Sequence, residues 1–143
     1  PFLVANPGEN SGYMIVQYSS AGLLGEIRLL SHPASVDSVP TCAFQEDYVS
    51  MGYNAAMKAC KVVRLAEYVL GNELLTAVQA ADLRAQKGLP LSEATAAVGA
   101  AVRERAPFME NDHYISPDME WARELVHSGR IREMAEQRIG KMY

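Results

Sequence analysis

The chain has 143 residues, 49% of them hydrophobic and 21% charged, which suits one cooperative core and is not the composition of a disordered segment. Its 13 basic and 17 acidic residues give a net charge of −4 with no long run of one sign, and this excludes the electrostatic footprint of a nucleic-acid binder. No stretch approaches the ~20 apolar residues of a membrane helix and no basic-then-apolar leader opens the sequence, so a cytoplasmic protein without a membrane or nucleic-acid partner is expected.

After the turn-forming Asn6-Pro7-Gly8-Glu9-Asn10, apolar Met14, Ile15, Tyr18, Leu23, Leu24, Ile27 and Leu30 recur at three and four. With Asn10 or Ser11 available as N-cap, they predict a helix ending near Ser31. His32 to Thr41 carries two prolines, each biasing its predecessor away from helix, together with polar Ser35, Asp37 and Ser38; an ordered loop is expected there. From about Gln45 to Lys87 there is no proline, and Val49, Ala56, Ala59, Val63, Ala66, Leu70, Leu74, Val78 and Ala81 hold a helical stripe. One helix of that length spans roughly 60 Å, whereas a compact chain of this size is only ~40 Å across. The helix must break or find partners outside this chain. Gly71 is the weak point, costing ~1 kcal/mol relative to Ala, but Asn72-Glu73-Leu74-Leu75 resumes the stripe in phase. The expectation is an unbroken helix in an oligomeric bundle.

Gly88-Leu89-Pro90 stops that helix, with Gly at C′ and Pro blocking continuation. Ser92 caps an Ala-rich helix to about Arg105, and Pro107 to Ile115 reads as a loop. Ser116-Pro117-Asp118 supplies an N-cap, an N1 proline and a first-turn acid for a helix that Gly129 closes, and Ile131 to Met142 predicts a last helix. No alternating strand pattern and no internal repeat occurs. The expected architecture is all-α, a long-helix bundle in two stretches. Residues 1–88 hold the long central helices with the Gln45-Glu46-Asp47 loop or helix start, and 89–143 form a C-terminal helical segment.

Gln45-Glu46-Asp47, at the expected head of the long helix, is the one dense polar cluster at an element boundary. Acids belong in a first helical turn for structural reasons alone, the macrodipole favouring them by ~0.3–1 kcal/mol. The largely uncharged Ser35 to Phe44 segment before them places them beside a structured loop, which favours function. His32, His113 and His127 form no HExxH arrangement and read as structural, and no GxSxG or Gly-rich phosphate loop is present. Cys42 and Cys60 have no CxxC spacing and read as reduced thiols, so no metal site and no disulfide are expected. Pro1 is not an initiator Met, and Pro1 to Pro7 reads as the inside of a longer chain.

Three stretches together resemble the histidine, phenylalanine and tyrosine ammonia-lyase family in order and spacing. They are Asn10-Ser11-Gly12-Tyr13-Met14-Ile15-Val16-Gln17, His32-Pro33-Ala34-Ser35-Val36-Asp37-Ser38-Val39-Pro40-Thr41 and Gln45-Glu46-Asp47-Tyr48-Val49-Ser50-Met51-Gly52. The likeness continues more weakly through Glu73-Leu74, Asp82-Leu83-Arg84 and Ser116-Pro117-Asp118. It implies the C-terminal part of a helical homotetramer with a central bundle of long helices, active sites assembled from several subunits, and a small-molecule amino acid substrate. The family's electrophile, 4-methylideneimidazole-5-one (MIO), forms from an internal Ala-Ser-Gly. That tripeptide does not occur in this sequence. The resemblance therefore puts the cofactor and the family's mobile-loop tyrosine upstream of Pro1, leaves no cofactor-binding residue here, and implies that the fragment alone is inactive.

By the same resemblance, Glu46 falls where histidine-type members place a carboxylate facing the substrate and plant phenylalanine-type members place Gln; it is the catalytic candidate. Met14 falls where the histidine branch has Met and the plant branch Lys, on the pocket wall. Gln45 would support the site by hydrogen bonding. Phe44 replaces the usual Asn of Ala-Asn-Gln-Glu-Asp, and Glu26-Ile27 replaces the usual Glu-Asn. Phe44 lies two residues from Glu46 and so bears on substrate choice. The implied activity is elimination of ammonia from L-histidine or a related aromatic L-amino acid to give an α,β-unsaturated acid, a step of amino acid catabolism. Alternatives are a tyrosine or phenylalanine lyase, a 2,3-aminomutase with the same cofactor, a non-catalytic helical oligomerisation module, or a ligand-binding regulatory subunit.

Overall fold

The computed structural model describes residues 2–4 and 6–142; Pro1, read above as internal to a longer chain, lies outside the described residues. These form five α-helices: α1 Met14–Leu30, α2 Gly52–Ala85, α3 Glu93–Arg103, α4 Ser116–His127 and α5 Arg130–Ile139. Two short 3-10 turns, Ala34–Val36 and Cys42–Phe44, lie in the α1–α2 connection. Among the described residues no strand forms, only isolated bridges between Pro7 and Asn10 and between Thr41 and Glu46. The fold is all-α, as the periodicity predicts.

α2 runs unbroken for 34 residues, about 50 Å at 1.5 Å per residue. Gly71 does not interrupt it. A Cβ there would sit 2.8 Å from the Arg123 amide nitrogen and 3.0 Å from its Cα, so the missing side chain lets α4 cross α2 backbone against backbone. The helix ends in a Schellman motif, with Leu89 N–H donating to Arg84 C=O at 3.2 Å and Gly88 N–H to Ala85 C=O at 2.9 Å. Gly88 supplies the required positive φ of 75°. At α3, Ser92 caps as expected, its Oγ accepting from Thr95 N–H at 3.2 Å.

α1 lies antiparallel along α2. The register is marked by Asn72 Nδ2 donating to Ser20 Oγ at 2.9 Å, the Lys61–Glu26 ion pair at 2.6 Å, and Lys58 Nζ donating to the His32 carbonyl. Helices α3 to α5 gather at the other end of α2. There the core joins Tyr13 and Val16 of the α1 start, Leu75 and Val78 of α2, Val102 and Ala106, Met109, Ile115, and Ala122 and Leu125 of α4. It therefore draws on both 1–88 and 89–143.

Gln79, fully buried, fastens this end. Its Nε2 donates to the carbonyls of Leu3 at 3.0 Å and Met109 at 2.9 Å. Its Oε1 accepts from Met109 N–H at 3.2 Å and from an Arg103 guanidinium N–H at 3.0 Å. Arg103 in turn donates to Asp82 at 2.8 Å and to the Ala106 carbonyl at 2.8 Å. A buried amide with every partner supplied ties three chain segments to one position.

Three local expectations are corrected. Ser116 is not an N-cap but the first residue of α4, the N-cap position being Ile115 with no side-chain cap bond. The first helix is not capped by Asn10 or Ser11. Asp112, about a hundred positions on, accepts from Ser11 N–H and Gly12 N–H at 2.7 Å each, tying the turn that leads into α1 to a distant loop, while the N-cap position itself is Tyr13, with no side-chain cap. Those two bonds hold the Asp112 carboxyl below its ordinary pKa. The long helix begins at Gly52 rather than near Gln45, so Gln45-Glu46-Asp47 is not a helical first turn and the macrodipole explanation for its acids does not apply.

Candidate functional site

The segment between α1 and α2 is a folded loop whose tip carries the sequence-predicted residues. Thr41 N–H donates to Glu46 C=O at 2.8 Å and Glu46 N–H to Thr41 C=O at 3.3 Å, while Gln45 N–H closes onto Cys42 C=O at 3.1 Å. Inside this small antiparallel turn, Cys42, Ala43 and Phe44 all have positive φ, at 52°, 53° and 68°. Each such L-residue costs about 1–2 kcal/mol, so the turn holds a backbone shape that its own residues do not favour, a pattern concentrated at functional sites. Met51, immediately before α2, is also left-handed, with φ 52°.

This turn presents Phe44, Gln45, Glu46 and Asp47 together, and all four are exposed. Phe44 is 83% exposed, an unusual state for a phenylalanine on a structured turn. Below the tip, the Ser38 hydroxyl donates to Val49 C=O at 3.1 Å and accepts from Val49 N–H at 2.8 Å. The Tyr48 hydroxyl donates to the Ser35 carbonyl at 3.3 Å. Ser38 was legible in the sequence only as a polar loop residue; its partner is eleven positions away and no local motif marks the pair.

Met14 is elsewhere. It lines a groove of about 680 Å³ between the helices, with Gln17 and Ser20 of α1 and Asn72, Glu73 and Thr76 of α2. Because α1 and α2 are antiparallel, this groove is level with Asn72 to Thr76 whereas the Glu46 loop precedes Gly52. Twenty helical residues, about 30 Å, separate those two levels. Phe44, Gln45 and Glu46 are brought together, and Met14 is not brought to them within one chain.

Two of the three histidine side chains, His113 and His127, find carboxylate partners. His127 Nδ1 contacts the Glu67 carboxylate at 2.8 Å, and Arg123 donates to the other Glu67 oxygen at 3.0 Å. The His127 hydrogen bond, chiefly, and then Arg123 hold the Glu67 carboxyl below its ordinary pKa. His113 Nε2 contacts buried Asp118 at 2.8 Å. The Tyr68 hydroxyl donates to Glu120 at 2.8 Å, and this bond, with burial, raises its pKa. Among the described residues no group of three or more His, Cys, Asp or Glu side chains is placed to hold a metal, and no helix is long and apolar enough to cross a membrane.

With this geometry, the chain belongs to the aromatic amino acid lyase family, whose profile matches residues 1–104. It is 44% identical over 140 residues to the histidine ammonia-lyase of Clostridium tetani, covering 96% of this chain and 27% of that protein. The crystal structure of histidine ammonia-lyase from Trypanosoma cruzi superposes with a TM-score of 0.88 at 40% identity, covering 95% of this chain and 26% of that one. Tyrosine aminomutase from Streptomyces globisporus superposes at 0.86 and 33% identity, covering 95% of this chain and 26% of that structure. The chain thus spans about a quarter of the length of these relatives.

Proposed function

We propose that this chain is the C-terminal part of an ammonia-lyase that removes ammonia from an aromatic L-amino acid, with L-histidine the leading substrate. One observation carries the reading: a strained, well-tied turn holds Phe44, Gln45 and Glu46 bare at one end of a long helix, with Met14 about 30 Å away along it. Such a layout fits a site completed by other copies. In that arrangement the Glu46 loop of one copy faces the Met14 groove of another, in a homotetramer built around the long helices. The unpartnered stripe on α1 supports it. Ile15, Tyr18 and Leu29 are exposed, and Gly22 and Gly25 between them have nothing within 4 Å of where a Cβ would be. Contiguous apolar surface of this kind marks an interface.

In the reaction, ammonia leaves from Cα and a proton from Cβ. The family's electrophile, MIO, would be supplied by a segment other than these 143 residues, which contain no Ala-Ser-Gly, and would make the amino group a better leaving group. The residues of this chain bind and orient. Glu46 accepts an N–H of the substrate in a charge-assisted hydrogen bond, Phe44 packs against the aromatic ring, Gln45 supports the turn through its amide, and Met14 forms an apolar wall. The tyrosine aminomutase likeness, together with Phe44 in place of the usual Asn, favours 2,3-amino migration as the second reading.

The test is to incubate the full-length protein with His, Tyr and Phe while following conjugated-acid absorbance and screening for β-amino acids. The expected result is a conjugated acid, fastest from histidine, with Glu46→Gln lowering kcat by about 100-fold or more, as loss of a positioned charged contact does. A β-amino acid as sole product would establish the second reading instead. No turnover of any of the three would discard both.

A further inference from the structure

Besides the Tyr48 hydroxyl's long bond to the Ser35 carbonyl at the base, two cross-links in register hold the arms of the turn that carries Glu46, and only one of these two is made by backbone alone. Thr41 and Glu46 exchange backbone hydrogen bonds at the tip. Three positions further out on each arm, in the same antiparallel register, Ser38 lies opposite Val49. There the Ser38 hydroxyl both accepts from Val49 N–H at 2.8 Å and donates to Val49 C=O at 3.1 Å. Pro40, between the two cross-links, has no N–H to extend a ladder. The serine side chain thus stands in for a missing rung.

Burial is confined to this point. Ser38 and Val49 are half-buried, whereas every residue from Val39 to Tyr48 is exposed, so packing within the chain does not orient the tip. The Ser38 backbone is itself fixed by its N–H donating to Asp37 Oδ1 at 2.8 Å. One rung sets a separation between two arms, while two rungs set an angle. We propose that Ser38 is a positioning residue for Glu46: its hydroxyl fixes the angle of the turn so that the Glu46 carboxylate meets the substrate in one geometry. This rests on the reading of Glu46 as a substrate contact.

The experiment uses the full-length protein with Ser38→Ala, Ser38→Thr, Ser38→Cys and, as a control of the underlying reading, Glu46→Gln. Steady-state kinetics on the preferred amino acid are paired with amide hydrogen exchange at Glu46 and Val49. Ser38→Ala should lower kcat about 10–100-fold, the scale of a misplaced catalytic contact, with a much smaller change in KM. It should also speed exchange at both amides. Ser38→Thr, which keeps the hydroxyl, should restore both readouts. Should the alanine variant fail to fold, Ser38→Cys keeps the volume with a weak donor and carries the same expectation. The proposal is overturned if Ser38→Ala, or Ser38→Cys in its place, exchanges faster at Glu46 yet keeps the parental kcat, or if the threonine variant is as slow as alanine. If Glu46→Gln also keeps the parental kcat, the assignment of Glu46 itself has failed. If Glu46→Gln is slow and Ser38→Ala is not, only the positioning role has failed.

Discussion

The two halves of α2 share a helix and a periodicity but not an environment. In the second half Gly71, Asn72, Leu75, Val78 and Gln79 are buried against α1, α3 and α4. In the first half Tyr53, Met57 and Val63 stand in the open, 79%, 55% and 59% exposed. The 3.6-residue pattern says that one face of a helix is to be covered and does not say by what. Where the covering elements belong to this chain, the pattern closes into a core; where they do not, it leaves a surface suited to other copies. The candidate site residues Phe44, Gln45 and Glu46 sit at the bare end, and the network centred on Gln79 sits at the closed one.

That contrast can be broken from either side. The largest effect on stability is expected from Gln79→Ala at the closed end. It strips the partners from the Met109 N–H and C=O, the Leu3 carbonyl and Arg103. Leaving buried polar groups unsatisfied costs about 1–3 kcal/mol each before relaxation, and chemical denaturation should give a loss of at least about 3 kcal/mol. Next comes a matched pair of glycine substitutions. Gly71→Ala drives a Cβ to 2.8 Å from the Arg123 backbone and should destabilise by about 1–3 kcal/mol as overpacking does, despite the helix-propensity gain. Gly25→Ala meets nothing within the chain, so it should leave the fold intact or raise helix stability by up to ~1 kcal/mol. It should nonetheless weaken assembly of the full-length protein, read by sedimentation. If both alanines behaved alike, the distinction between the two ends would be lost.

The smallest expected effects are electrostatic. Glu67 and Asp112 both have folded-state pKa values lowered by their partners. Their stabilisation is therefore complete above the unfolded carboxyl values of about 4. It is lost as pH falls through the lowered folded values. Acid unfolding should steepen below about pH 4, and Glu67→Gln and Asp112→Asn should each flatten it, with little change at neutral pH in its slope. An unchanged acid limb in both variants would remove these carboxylates from the account.

Much of the fold is written in local signals. Gly88-Leu89-Pro90, Ser92 and Pro117 act within a few residues of themselves, and the helix ends they predict are found. What failed is what distance decides. Gln45 to Ser50 contains no Gly or Pro and so carries no local signal that α2 starts only at Gly52; the break is imposed by left-handed Met51 and by the Ser38–Val49 pairing. The turn leading into α1 is held by Asp112, which no window around Ser11 contains. The identities of Phe44, Gln45, Glu46 and Met14 came from motif resemblance, but their separation into two ends required the antiparallel register set by Ser20–Asn72 and Glu26–Lys61.

The central claim is that the Glu46 turn and the Met14 groove of one chain serve different sites. Co-expression of full-length Glu46→Gln with full-length Met14→Lys, each expected to be strongly impaired on histidine as a homo-oligomer, tests it most directly. Random mixed assemblies should regain activity in roughly a quarter of their sites, where an intact Glu46 from one copy meets an intact Met14 from another. Mixed oligomers that assemble yet show no activity beyond that of the separate variants would contradict the account.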